Sequence, residues 1–84
     1  MSWNYRILKR TFDNDEIQFA LYEVYYTKRG KIEYWTEEPV YICGENLKEL
    51  VEEFKHYAAA FEKPVLDYNE LERKAERKRN RLKN

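Results

Sequence analysis

Trp3, Tyr5 and Ile7 alternate with Asn4 and Arg6, the period-two pattern of a strand with one packed face and one wet face. The polar run at 11–16, TFDNDE, predicts a turn, because Asp13, Asn14 and Asp15 can hydrogen-bond nearby backbone. Residues 17–26, IQFALYEVYY, are dense in aromatic and branched side chains and predict a second strand. At 27–30, TKRG predicts a hairpin loop in which Gly30 supplies a positive φ. The chain then returns through 31–43, KIEYWTEEPVYIC, as a third strand that Pro39 interrupts or ends, since proline has no N–H for the ladder.

After Gly44 the period changes. Asn46, with Glu49 three residues on, predicts a helix N-terminus. Leu47, Leu50, Val51, Phe54, Tyr57, Ala58 and Phe61 then fall on one face at three- and four-residue spacing, and Pro64 ends the element. Glu45, Glu49, Glu52 and Glu53 gather toward its N-terminal end, where the helix dipole favours anions. Asp67 with Glu70 repeats the cap pattern and predicts a second helix anchored by Tyr68, Leu71 and Ala75. Beyond Ala75 the only large apolar residue is Leu82, so this helix is expected to run off the body. The predicted architecture is α+β: a three-stranded antiparallel meander, an amphipathic helix on one face (β-β-β-α) and a basic C-terminal helix. Residues 1–71 form the single domain, and 72–84 its basic tail.

The central strand does not fit a sheet covered once. It is apolar on both faces, with Ile17, Phe19, Leu21 and Tyr25 on one and Ala20, Tyr22, Val24 and Tyr26 on the other. One helix covers one face. Either KPVLDY, 63–68, folds back over the second face, or Tyr22, Val24 and Tyr26 meet another chain, or they stand as an open aromatic platform.

Charge turns the question toward partners. Residues 72–84 hold seven of the sixteen basic groups and two of the sixteen acids, leaving nine and fourteen in 1–71, so a body near −5 carries a tail near +5. A chain of 84 residues has little core for its surface, which favours docking or dimerisation. Its single cysteine, Cys43, cannot close an internal disulfide, the opening MSWNYRILKR has no apolar leader core, and no run approaches the roughly 18 apolar residues of a membrane span. A cytoplasmic protein with no membrane segment is expected.

The order WNYRI at 3–7, YEVYY at 22–26, YWTEEPV at 34–40, GENLKEL at 44–50 and KPVLDY at 63–68 resembles a family of small uncharacterised bacterial proteins with no assigned activity. The resemblance covers most of 3–70, excludes the tail and implies no functional residue. In fold the chain is also similar to the N-terminal domain of HicB-type antitoxins. There a three-stranded sheet leads through glycine, acid, cap and acid into an amphipathic helix, as Gly44, Glu45, Asn46 and Glu49 do here. The Pro-Gly loop of that domain and the DNA-binding segment that follows it have no counterpart, so this likeness implies fold and not function.

Candidate chemistry is sparse. His56 is the sole histidine, Cys43 lies thirteen residues from it, and no C-x-x-C or H-x-x-x-H spacing occurs. His56 is read as a surface residue and Cys43 as a small buried side chain. Gly30 and Gly44 stand fourteen residues apart, too far for a phosphate loop. Glu37 and Glu38, adjacent in a strand, would point to opposite faces rather than converge. No catalytic residue, metal, cofactor or small-molecule substrate is expected, and the chain is read as a non-enzyme.

The tail carries the sharpest signal. Arg73 and Arg77 lie at i, i+4, and Lys74, Lys78 and Arg81 continue on the adjoining strip, giving one cationic face. That face suits an acidic protein surface, including the Glu-rich first helix of a second copy. The alternative is sequence-independent RNA or DNA binding, with phosphates on the tail and bases stacked on Tyr22, Tyr25, Tyr34 or Trp35, which the acidic body opposes. The expected function is a small interaction or regulatory module that binds a protein partner or itself.

Overall fold

The computed structural model describes residues 2–83, with side chains described up to Arg79. β1 (Ser2–Thr11) and β2 (Ile17–Tyr26) form a long antiparallel hairpin in unbroken register, from Ser2 opposite Tyr26 to Thr11 opposite Ile17. Its turn closes where Phe12 N–H donates to the Glu16 carbonyl at 2.9 Å and Asn14 Oδ1 accepts from Glu16 N–H at 3.1 Å. Asp15 takes the left-handed backbone there, at φ 68°, which Asp tolerates better than most residues. The second hairpin turns through Gly30, whose φ of 81° is the positive value the loop requires.

β3 (Ile32–Trp35) is shorter than the predicted strand. The register slips between Tyr25 and Tyr26, and the regular ladder stops before Glu37, Glu38 and Pro39. Proline cannot donate, so the chain bulges past it and touches β2 again only where Val40 N–H reaches the Leu21 carbonyl at 2.8 Å.

α1 (Leu47–Ala59) starts as the sequence predicts, with Asn46 Oδ1 accepting from Glu49 N–H at 2.8 Å. Gly44 is needed beside that start: a Cβ there would come within 2.9 Å of the Leu50 backbone nitrogen. The helix tightens into a 3-10 turn at Ala60–Glu62. The chain then enters β4 (Leu66–Asp67), which pairs parallel to β1 with Leu8 opposite Leu66. α2 (Tyr68–Lys83) follows at once, capped by Asp67 Oδ1 on Glu70 N–H at 2.9 Å.

The sheet is therefore mixed and four-stranded, in the order β3-β2-β1-β4: the antiparallel meander β1-β2-β3 with a short parallel strand added beside β1. The α+β class stands; the added strand is KPVLDY folding back. It closes the second sheet face. Leu8, Tyr22 and Val24 are each 0% exposed, clustered with Tyr68 and flanked by Ala20, Tyr26, Ile32, Trp35, Leu66 and Leu71. Burying side chains of this size contributes about 1.5–3 kcal/mol each. The expectation of an interface at Tyr22, Val24 and Tyr26 is corrected accordingly. Tyr22 and Val24 lie beneath Tyr68, and half-buried Tyr26 donates its hydroxyl to Asn4 at 2.8 Å while accepting from Arg6 at 3.0 Å.

The first face is covered less completely. Ile7, Leu21, Tyr57 and Ala60 form its core, with Tyr5 and Val40 against it. α1 does not lie on the full apolar stripe that its sequence offers. It rests on the flank through Leu50, Glu53 and Tyr57, about a quarter-turn away, which leaves Leu47, Val51, Phe54 and Phe61 exposed. The reason is local: the Tyr57 ring seats against Tyr5 at 4.8 Å, and Ala60 is small enough to let the backbone approach Ile7. Ile17 and Phe19, toward the far end of β2, are 56% and 61% exposed.

Candidate functional site

α2 divides into a docked half and a projecting half. Its first turn is locked to the end of β1 by Asn69, whose Oδ1 accepts from Thr11 N–H at 2.8 Å while its Nδ2 donates to the Thr11 carbonyl at 2.9 Å. Tyr68 fills the second-face core beside Tyr22 and Trp35, and Leu71 packs behind it. Arg10 lies 4.1 Å over the Tyr68 ring and 5.0 Å from the Phe12 ring, and donates to the Glu37 carbonyl at 3.2 Å. After Ala75 no described residue is buried. The radius of gyration, 14.7 Å, exceeds the roughly 12 Å of a compact chain this long, in keeping with that projection.

The cationic residues follow the expected geometry. At 100° per residue, Arg73, Lys74, Arg77, Lys78 and Arg81 sit within an arc of about 140°, centred about 120° round the helix from Tyr68, Leu71 and Ala75 and reaching the edge of the Leu71 strip at Lys78. Arg73, Lys74, Arg77, Lys78 and Arg79 are exposed. Arg81 belongs to the helix, but its side chain lies outside the described residues. Arg73 is partly occupied, forming an exposed ion pair with Glu70 at 2.5 Å. The hydrogen bond from Arg73 holds the Glu70 carboxyl below the usual carboxylate range, with the Arg73 charge acting the same way. Among the described residues, Lys74, Arg77, Lys78 and Arg79 form no salt bridge.

A second feature arises from strand register. Trp3 opposite Tyr25 and Tyr25 opposite Tyr34 align three rings across β1, β2 and β3. Tyr25 and Tyr34 stack at 4.5 Å and 14°, Trp3 follows at 6.1 Å, and Tyr5 meets Trp3 edge-on at 5.2 Å. The proposed stacking set is thereby split, for Tyr25 and Tyr34 lie on this face while Tyr22 and Trp35 belong to the opposite core. Beside the row is an open cleft of about 420 Å³ lined by Trp3, Asn4, Tyr5, Glu53, His56, Ala59 and Lys63.

The cleft has little reactive chemistry. Burial, with Tyr57, Glu53 and Glu23 nearby, pushes the Tyr5 phenol up to about 12, so it stays protonated at neutral pH. His56 is exposed at the cleft's edge. Cys43 is exposed rather than buried, because the chain leaves the sheet before reaching it. Glu37 and Glu38 lie in the bulged segment, where Glu37 contributes its backbone carbonyl to Arg10 and to the Tyr68 hydroxyl. Among the described residues no three His, Cys, Asp or Glu side chains are grouped to hold a metal. No helix among them is long and apolar enough to cross a membrane.

Two features escaped the sequence reading: the aromatic row and the exposed flank of α1. The row required the β1–β2–β3 register. The flank carries a signal in the spacing of its apolar residues, four, three, four and three from Leu47 to Phe61, which is that of a helix–helix seam. No family model matches the chain, and no curated protein or solved structure matches it either.

Proposed function

We propose that this chain is a non-enzymatic interaction module of the cytoplasm that presents the basic face of α2 to an acidic surface on a protein partner. The observation that carries this reading is the division of α2. Tyr68, Asn69 and Leu71 fix its first turn to the sheet, while Lys74, Arg77, Lys78 and Arg79 stand exposed on a helix aimed away from the body. A helix held at one end presents its charges in fixed spacing, so less order has to be imposed on binding than for a free arm. The body, near −5 over residues 1–71, would repel a phosphate backbone brought alongside it. An acidic patch of limited extent can meet the tail without meeting the body.

The test is fluorescence anisotropy with two labelled probes of equal charge, a poly-glutamate peptide and a single-stranded RNA, titrated at rising salt. Tighter binding of the peptide, lost in the K74E/R77E/K78E variant, supports the reading. Tighter binding of RNA, or binding that ignores the charge reversal, overturns it.

A further inference from the structure

Leu47, Val51, Phe54 and Phe61 are 74%, 53%, 57% and 71% exposed, with half-buried Ala58 completing their stripe along α1 and the turn after it. Such a stripe is a seam without its second helix. We propose that it is the contact between two copies of this chain, paired antiparallel about a two-fold axis beside Phe54. This surface is separate from the basic face of α2, and the two proposals stand independently.

The stripe is nearly the same read in either direction. In an antiparallel pair centred on Phe54, Leu47 of one copy falls opposite Phe61 of the second, Val51 falls near Ala58, and Phe54 meets itself. Such self-complementarity is what an isologous contact requires.

Charge selects the direction. Lys48, Glu52, Lys55 and Glu62 form an exposed strip along the solvent side of the seam. A two-fold axis perpendicular to the helices keeps this strip on the same side in both copies and reverses its order. Lys48 then lies across from Glu62 of the second copy, and Glu52 across from Lys55, each pair opposite in sign. Parallel pairing turns the strip away from its counterpart and forms none of these pairs.

The exposed area leaves room for the contact. The chain exposes 6939 Å², against about 5,400 Å² for a compact monomer of its mass. The excess is about 1,500 Å², the exposed apolar flank of α1 contributes to it, and a standard interface needs about 800 Å² from each partner.

Sedimentation equilibrium on the full chain from about 1 to about 200 µM tests the pairing, because the population of a dimer follows protomer concentration. The wild type should dimerise, and Phe54→Asp or Val51→Glu should weaken the dimer at least about tenfold with the far-ultraviolet circular dichroism unchanged. Lys48→Glu should also weaken it, and Lys48→Glu with Glu62→Lys should restore it. Phe54→Cys in a Cys43→Ser background should oxidise to a disulfide-linked dimer. The proposal is overturned by a wild type that stays monomeric throughout, by a dimer indifferent to both apolar substitutions, or by failure of the charge swap to rescue. A dimer abolished by K74E/R77E/K78E also overturns it, since α2 would then be the contact.

Discussion

The ring of Tyr68 lies 5.5 Å from that of Tyr22, inclined at 48°, and through this pair α2 closes the second face of the sheet. Both residues are buried, and Tyr68 also meets Trp35 edge-on at 6.3 Å and carries Arg10 on its other contacts. Removing the ring should therefore cost far more than removing its hydroxyl. Tyr68→Ala is expected to lower stability by about 3–5 kcal/mol, as for other buried aromatics, enough to unfold much of a small domain. Tyr68→Phe should cost less than about 1 kcal/mol, because the hydrogen bond its hydroxyl donates, to the Glu37 carbonyl, is long at 3.5 Å. Urea unfolding of the two variants separates ring from hydroxyl.

Asn69 acts as a substitute strand for the end of β1, answering both polar groups of the Thr11 backbone. Asn69→Ala leaves both unpaired in a partly buried site and should cost about 1–3 kcal/mol. Asn69→Asp keeps an acceptor for the Thr11 N–H but loses the donor to its carbonyl, so it should fall between. Amide exchange at Thr11 should quicken in Asn69→Ala and much less in Asn69→Asp.

Local chemistry made the elements legible in the sequence, and non-local chemistry hid their assembly. The turns at Asp13–Asp15 and Gly30 and the caps at Asn46 and Asp67 form where side chains a few residues apart dictate them. The fold-back of KPVLDY was one of three choices, because the parallel pairing of Leu66 with Leu8 depends on residues 58 positions apart. The quarter-turn rotation of α1 was hidden as well. Its stripe names every large apolar residue on the helix, but only the seat of Tyr57 against Tyr5 decides which of them face the sheet. The basic face of α2 was readable because it depends on helical spacing alone.

Alkaline pH should loosen the first sheet face. Burial holds the Tyr5 phenol neutral and pushes it to about 12, against about 10 in an unfolded chain. The unfolded chain thus gives up this proton first as pH rises. The contribution of Tyr5 is full below about pH 10 and is lost as pH climbs toward about 12. Burial shifts Tyr68 in the same direction, and a hydrogen bond to Glu23 does so for Tyr25. Stability measured against pH should decline across that window, and Tyr5→Phe should flatten the decline.

The projecting half of α2 should be nearly dispensable for folding. Deleting residues 76–84 removes no described buried side chain, so the unfolding free energy should change by no more than about 0.5 kcal/mol. Helical circular dichroism should fall with the loss of the segment. A larger loss of stability would mean that the segment packs on the body.

The central claim is that the exposed cations of α2 engage protein, and capture from nuclease-treated lysate tests it most directly. Full-length chain and the K74E/R77E/K78E variant, which keeps the Arg73–Glu70 pair, are compared with and without nuclease. The account predicts acidic proteins retained by the wild type after nuclease and lost in the variant. Capture that nuclease abolishes, or that the charge reversal leaves unchanged, would contradict it.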